Sequence, residues 1–125
     1  MWYGVGNTGL PNPAAAFVEV HSDCSVTLLT GCADIGQGSN TVLAQIVAET
    51  LGVDYEDVYV ISADTGVTPE AGASSASRQT YISGNACKRA AEMARGTLAE
   101  VAAGLLGAQR DERSLSWGRK KITKP

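Results

Sequence analysis

Residues 25–62 read SVTLLTGCADIGQGSNTVLAQIVAETLGVDYEDVYVIS, and this stretch decides the fold. At its start, SVTLLT (25–30) alternates and carries β-branched residues, as a strand does. At its end, VYVIS (58–62) is a short apolar run suited to a buried strand. Between them Leu43, Ile46, Val47 and Leu51 recur at helical spacing. Ser39 or Asn40 is the expected N-cap of that helix and Gly52 its stop. The order strand, loop, helix, strand is a crossover unit, right-handed if its strands are parallel.

Working outward, AAFVEV (15–20) is a second alternating strand, and the turn HSDC joins it to 25–30 as an antiparallel hairpin. Residues 1–14, with Gly4, Gly6, Gly9, Pro11 and Pro13, form an irregular opening segment. Downstream, residues 63–80 (ADTGVTPEAGASSASRQT) lack an apolar period, and a loop of that length is either functional or disordered. An Ala-rich helix is expected from near Ser83 to Leu106, with Ala86, Ala90, Met93, Val101 and Leu105 on its buried side. Gly107 would end it, and SLSWGRKKIT could begin a further strand. The fold class is α/β (α+β): a small mixed sheet with an N-terminal hairpin and two helices packed on it. Residues 15–107 form the folded unit and 108–125 a polar, basic C-terminal segment.

A chain of 125 residues suffices for one modest core. No apolar run approaches membrane-spanning length, and the N-terminus lacks the features of a signal peptide, so a cytoplasmic setting is expected. Cys24, Cys32 and Cys87 are odd in number and without CxxC spacing, which argues against a disulfide framework. With His21 the single histidine, a protein-built zinc site is not expected, and the metal ligand set is read as none. Charge is segregated: residues 1–77 hold nine acids and no Lys or Arg, and the rest hold ten basic residues against four acids. The basic tail lacks a groove-reading motif, so no nucleic-acid partner is expected.

Two glycine- and serine-rich loops therefore each lead into a helix N-terminus, where free backbone N–H groups favour anions. GVGNTG fits a dinucleotide regular expression, but no strand precedes it and prolines follow, so it is read as a turn. GQGSNT lacks the lysine of a phosphate-binding P-loop. It offers instead Gln37, with two donors and one acceptor, between Gly36 and Gly38, which permit close approach of a flat ligand. GASSASRQT gathers Ser74, Ser75 and Ser77 beside Arg78, a combination suited to phosphate or pterin oxygens. Each loop reads equally as a plain turn on these grounds alone. Asp34 and Asp64 lie near the loops and could serve as general bases, but carboxylates there mostly bond backbone amides, and no catalytic residue is assigned.

Taken in order, YGVGNTGLPNPAAAFVEV, GQG, AQIVAETLGV, DT…TP, SASR and SGNA resemble the molybdenum-binding subunit of the xanthine oxidase family. That family includes xanthine dehydrogenase, aldehyde oxidase, carbon monoxide dehydrogenase and 4-hydroxybenzoyl-CoA reductase. GNTGLPNP with SASRQT looks closest to the last of these. The resemblance, over residues 3–92, implies that Gly36, Gln37, Gly38 and Ser39 contact a molybdopterin, in simple or dinucleotide form, from one side. Ala76, Ser77 and Arg78 would contact it from another. It further implies [2Fe–2S] clusters and FAD on partner domains or iron–sulfur and flavin subunits, and completion by the remainder of the molybdenum subunit. The family's catalytic glutamate region falls outside the matched segment, so the chain is expected to be a subdomain without turnover of its own. Cys24 stands where the family often has Gly, which strains the turn if φ is positive. The competing readings are a cofactor-free interaction module, for which association into oligomers is expected, and a small phosphate-binding protein.

Overall fold

A computed structural model describes Gly4 and residues 11–106. Its elements are β1 (Ala16–Val20), β2 (Val26–Thr30), α1 (Ser39–Leu51), β3 (Val58–Ser62) and α2 (Gly84–Leu106). A 3₁₀ turn, Tyr55–Asp57, precedes β3, and a π-helical turn, Gln79–Ser83, runs straight into α2. The opening motif GVGNTG apart from Gly4, the expected helix stop Gly107, the tail 108–125 and the further strand expected in it lie outside the described residues.

The sheet order is β1-β2-β3. β2 pairs antiparallel with β1, Phe17 opposite Leu29, and parallel with β3, Leu28 opposite Val60. The hairpin and the crossover unit are thus both present, sharing the central strand. The hairpin closes through the His21 N–H on the Ser25 carbonyl (2.9 Å) and the Cys24 N–H on the His21 carbonyl (3.0 Å). This turn holds Cys24 at φ 71°, the left-handed region that disfavours a side chain. The His21 ring is spent on the Thr27 hydroxyl at 2.8 Å.

Strand alternation sends Val26, Leu28 and Val58 toward the helices, where they meet Leu43, Val47 and Leu51 of α1 and Cys87 and Ala91 of α2 in one core. Each such aliphatic side chain contributes about 2 kcal/mol on burial. The opposite sheet face carries Phe17, Tyr59 and Ile61, all exposed. Gly52 ends α1 as expected, at φ 80° with its N–H on the Ala48 carbonyl. The start of α1 differs from expectation. The cap position is Gly38, left-handed at φ 77° with no side-chain cap of its own. A side chain from upstream takes over the role, as described below.

α2 also differs in phase. Met93 (75% exposed), Val101 and Leu105 (83%) face outward, Ala86 and Ala90 are only half-buried, and the buried stripe is Ser83, Cys87, Ala91 and Ala99. The cause is close packing. A Cβ on Gly84 would lie 2.9 Å from the Ile46 side chain of α1, so α2 approaches through its smallest residues and leaves its bulky ones outside.

Candidate functional site

β2 ends at Thr30, and the loop 31–38 (loop 1) carries the chain to α1. Asp34 organises it. Its carboxylate accepts N–H bonds from Gly36 (2.9 Å), Gly38 (3.3 Å) and Asn40 (3.1 Å). These amides, Gly36 first and Asn40 next, hold the Asp34 carboxyl below its ordinary value of 3.8. A helix start favours negative charge, and here the protein supplies it. Loop 1 is therefore not an open nest for a phosphate, and Asp34 is not free to act as a base. Gly36 and Gly38 have φ of 100° and 77°, and a Cβ on either would meet nothing within 4 Å. Glycine is required there by backbone conformation, and the space beside it is open.

The loop 63–78 (loop 2) follows β3. Asp64 opens it as a turn, its carboxylate taking the Gly66 N–H (2.8 Å) and its carbonyl the Thr68 N–H (2.8 Å) and hydroxyl (2.7 Å). The Ala15 N–H bonds the Glu70 carbonyl (3.0 Å), and the Ser77 N–H the Gly4 carbonyl (2.9 Å). Arg78 is 4% exposed. Its guanidinium donates to Asn12 Oδ1 and to the carbonyls of Ala71 and Pro13. All three acceptors are neutral, so a buried positive charge stands behind loop 2 with no carboxylate among its described partners. Arg78 ties the segment before β1 to loop 2 and does not reach outward. Ala76 is exposed at φ 48°, and the half-buried Ser77 borders a groove shared with Thr80, Tyr81, Asn85 and Lys88.

The two loops are bridged by Gln79, the residue that follows loop 2. Gln37 Nε2 donates to Gln79 Oε1 at 2.7 Å, across 42 residues of sequence. Both glutamines donate from Nε2 to the Ala33 carbonyl, at 3.0 and 3.1 Å, and Gln79 Nε2 also bonds the Ser74 hydroxyl. Ser39, buried, lies 3.2 Å from Gln37 Nε2 through its Oγ. Lower down, a Cβ on Gly31 would sit 2.4 Å from the Pro69 carbonyl oxygen and 3.0 Å from the Ala71 nitrogen, so glycine alone lets loop 2 lie against the end of β2.

Of the residues expected at the site, Gly36, Gln37 and Gly38 stand together in loop 1 with Ser39 opening α1, and Ala76, Ser77 and Arg78 stand in loop 2. Sequence reasoning passed over Gln79, Asn12 and Gly31. Gln79 lay inside the quoted motif SASRQT, but its 8% exposure could not be seen from a polar residue in a loop. Cys32 and Cys87 are buried, and burial pushes the Cys87 thiol up to about 12.

Loop 1 thus presents the Gln37 carboxamide and two open glycine faces, and loop 2 presents hydroxyls backed by a positive charge. Neutral hydrogen-bonding groups suit the first and an anionic group the second. No described helix is long and apolar enough to cross a membrane.

The sequence matches the molybdopterin cofactor-binding domain family over residues 1–124. A xanthine dehydrogenase molybdenum-binding subunit of Escherichia coli is 44% identical over 79 residues, 62% of this chain and 10% of its own length. The gamma subunit of the 6-hydroxypseudooxynicotine dehydrogenase complex of Paenarthrobacter nicotinovorans is 37% identical over 105 residues, 84% of this chain and 13% of its own. Among solved structures, the Cu,Mo-CO dehydrogenase in its carbon monoxide reduced state superimposes with a TM-score of 0.75 at 29% identity, covering 88% of this chain and 14% of that one. This chain spans 10% and 13% of the lengths of these two curated relatives. With a family model matched over nearly its whole length, the chain belongs to the molybdopterin cofactor-binding domain family.

Proposed function

We propose that loops 1 and 2 hold a molybdopterin between them, as part of the molybdenum subunit of a hydroxylase- or dehydrogenase-type oxidoreductase. The observation that carries this reading is the Gln37–Gln79 bond, which joins both candidate loops into one mouth. The bound group would supply a two-electron redox centre whose metal is ligated by the pterin dithiolene, so the chain has no need to offer metal ligands of its own.

The residues divide the work by charge. Loop 1 already holds the Asp34 carboxylate in its amides, so a second anion there would be repelled. Gly36 and Gly38 instead let the flat edge of the ligand reach the backbone, with Gln37 supplying neutral polar contacts and the buried Ser39 hydroxyl behind it. Loop 2 takes the anionic arm, through Ser77 and the exposed backbone at Ala76, with the buried Arg78 charge behind them. Arg78 therefore acts through its field and by fixing loop 2, not by touching the ligand. The exposed sheet face of Phe17, Tyr59 and Ile61 is the surface on which the remainder of the molybdenum subunit would rest. Iron–sulfur and flavin subunits would complete the electron path.

The test is the molybdenum and pterin content of the subunit assembled from this chain and the remainder of such a subunit. Gln37→Ala combined with Ser77→Ala should lower both about tenfold, the loss of two hydrogen bonds. Unchanged content in the folded double variant would contradict the assignment.

A further inference from the structure

Gln79 sits at the first position of the π-helical turn, with its carboxamide buried between the loops. Its Nε2 donates to the Ala33 carbonyl (3.1 Å) and to the Ser74 hydroxyl. A carbonyl oxygen only accepts, so that end of the amide must be the nitrogen. The other end, Oε1, then faces Gln37 and accepts its Nε2 at 2.7 Å. Gln37 is left to present Oε1 to the Ile35 N–H at 2.6 Å. The exposed carboxamide of Gln37 is thus oriented by a chain of donors and acceptors rooted on one main-chain carbonyl.

We propose that Gln79 is a positioning residue, fixing the rotamer and the amide orientation of Gln37 before any ligand arrives; this rests on reading Gln37 as a cofactor contact. Gln37 has two N–H protons and three acceptors. One proton goes to Gln79, and the other is shared between the Ala33 carbonyl (3.0 Å) and the Ser39 hydroxyl (3.2 Å). An incoming acceptor competes with the shared bond while the Gln79 bond keeps the amide aimed. The ordering of a flexible side chain is thereby done in the free protein, and binding does not bear it again. The π-helical geometry has a place in this: the Gly84 N–H reaches back to the Gln79 carbonyl, five residues earlier, and anchors the Gln79 backbone to the start of α2.

The experiment is proton–nitrogen NMR of the full ¹⁵N-labelled chain, with the Gln37 side-chain signal assigned by its loss in Gln37→Ala. In Gln79→Leu the Gln37 carboxamide protons should exchange with solvent about fivefold faster, and their signals should move. Gln79→Glu keeps the size and an acceptor but cannot donate to the Ala33 carbonyl when ionised, and the same signals should move there too. β2 backbone signals report that either variant remains folded, and Gln79→Glu carries the test if Gln79→Leu does not fold. A Gln37 carboxamide unchanged in position and exchange in a folded Gln79 variant would overturn the proposal. Molybdenum content does not enter this readout, so failure of the cofactor assignment and failure of the positioning role give different results.

Discussion

Loop 1 and loop 2 solve the same problem, holding an irregular backbone in a fixed shape, by opposite means. Loop 1 is built mostly from its own residues: Asp34 bonds partners no more than six positions away, and Gln37 bonds Ile35 and Ala33 besides its one long reach to Gln79. Loop 2, beyond its own Asp64 turn, is held from a distance: Arg78 bonds Asn12 and Pro13, 66 and 65 positions earlier, and Gln79, just past its end, bonds Ala33, 46 earlier. A carboxylate among amides organises the first and a guanidinium among carbonyls the second. The difference teaches that the first should survive local disturbance and the second should depend on the whole fold.

The largest effect expected from breaking this contrast is at Arg78. Arg78→Met removes the donors to three buried or half-buried acceptors and should destabilise the chain by about 3 kcal/mol in urea unfolding. The NMR signals of Gly36 and Gly38 should stay in place. Gly31→Ala strikes the seam between the loops. The added methyl has backbone on its far side and nowhere to go, and a cost of about 2 kcal/mol is expected by the same measurement.

Cys24→Gly lies outside both loops and should act in the other direction. It relieves a side chain at φ 71° and should stabilise the chain by about 1 kcal/mol, leaving the loop signals unmoved.

The subtlest test concerns Asp34. Its carboxyl is held below 3.8 in the folded protein, so its contribution to stability is complete above that value and is lost as pH falls through the lowered one. Asp34→Asn should lack that part of the acid-side decline in stability. Asp23 has the same sign through its bonds to Ser25, so the difference between wild type and variant carries the result.

The same contrast explains what the sequence could reveal. β-Strands, the crossover order and the Gly52 stop rest on neighbours in the chain, and alternation and turn chemistry made them legible. Expecting Ser39 or Asn40 as the N-cap failed because a carboxylate upstream outcompeted both, although Asp34 followed by two glycines was there to be read. The buried face of α2 was misplaced because size was taken as the sign of burial. Close helix packing made Gly84, Cys87 and Ala91 the interior residues and Met93 the exterior one. Gln79 and the inward turn of Arg78 depend on contacts across 40 or more residues, and no local pattern encodes those.

The central claim is that the loops form one structure before any ligand binds. A double-mutant cycle on unfolding free energy, with Gln37→Ala, Gln79→Ala and the pair, measures it directly. A coupling of about 1 kcal/mol is predicted for the bond at 2.7 Å. Strictly additive losses would mean that the loops are independent and that the mouth is not held together by these two side chains.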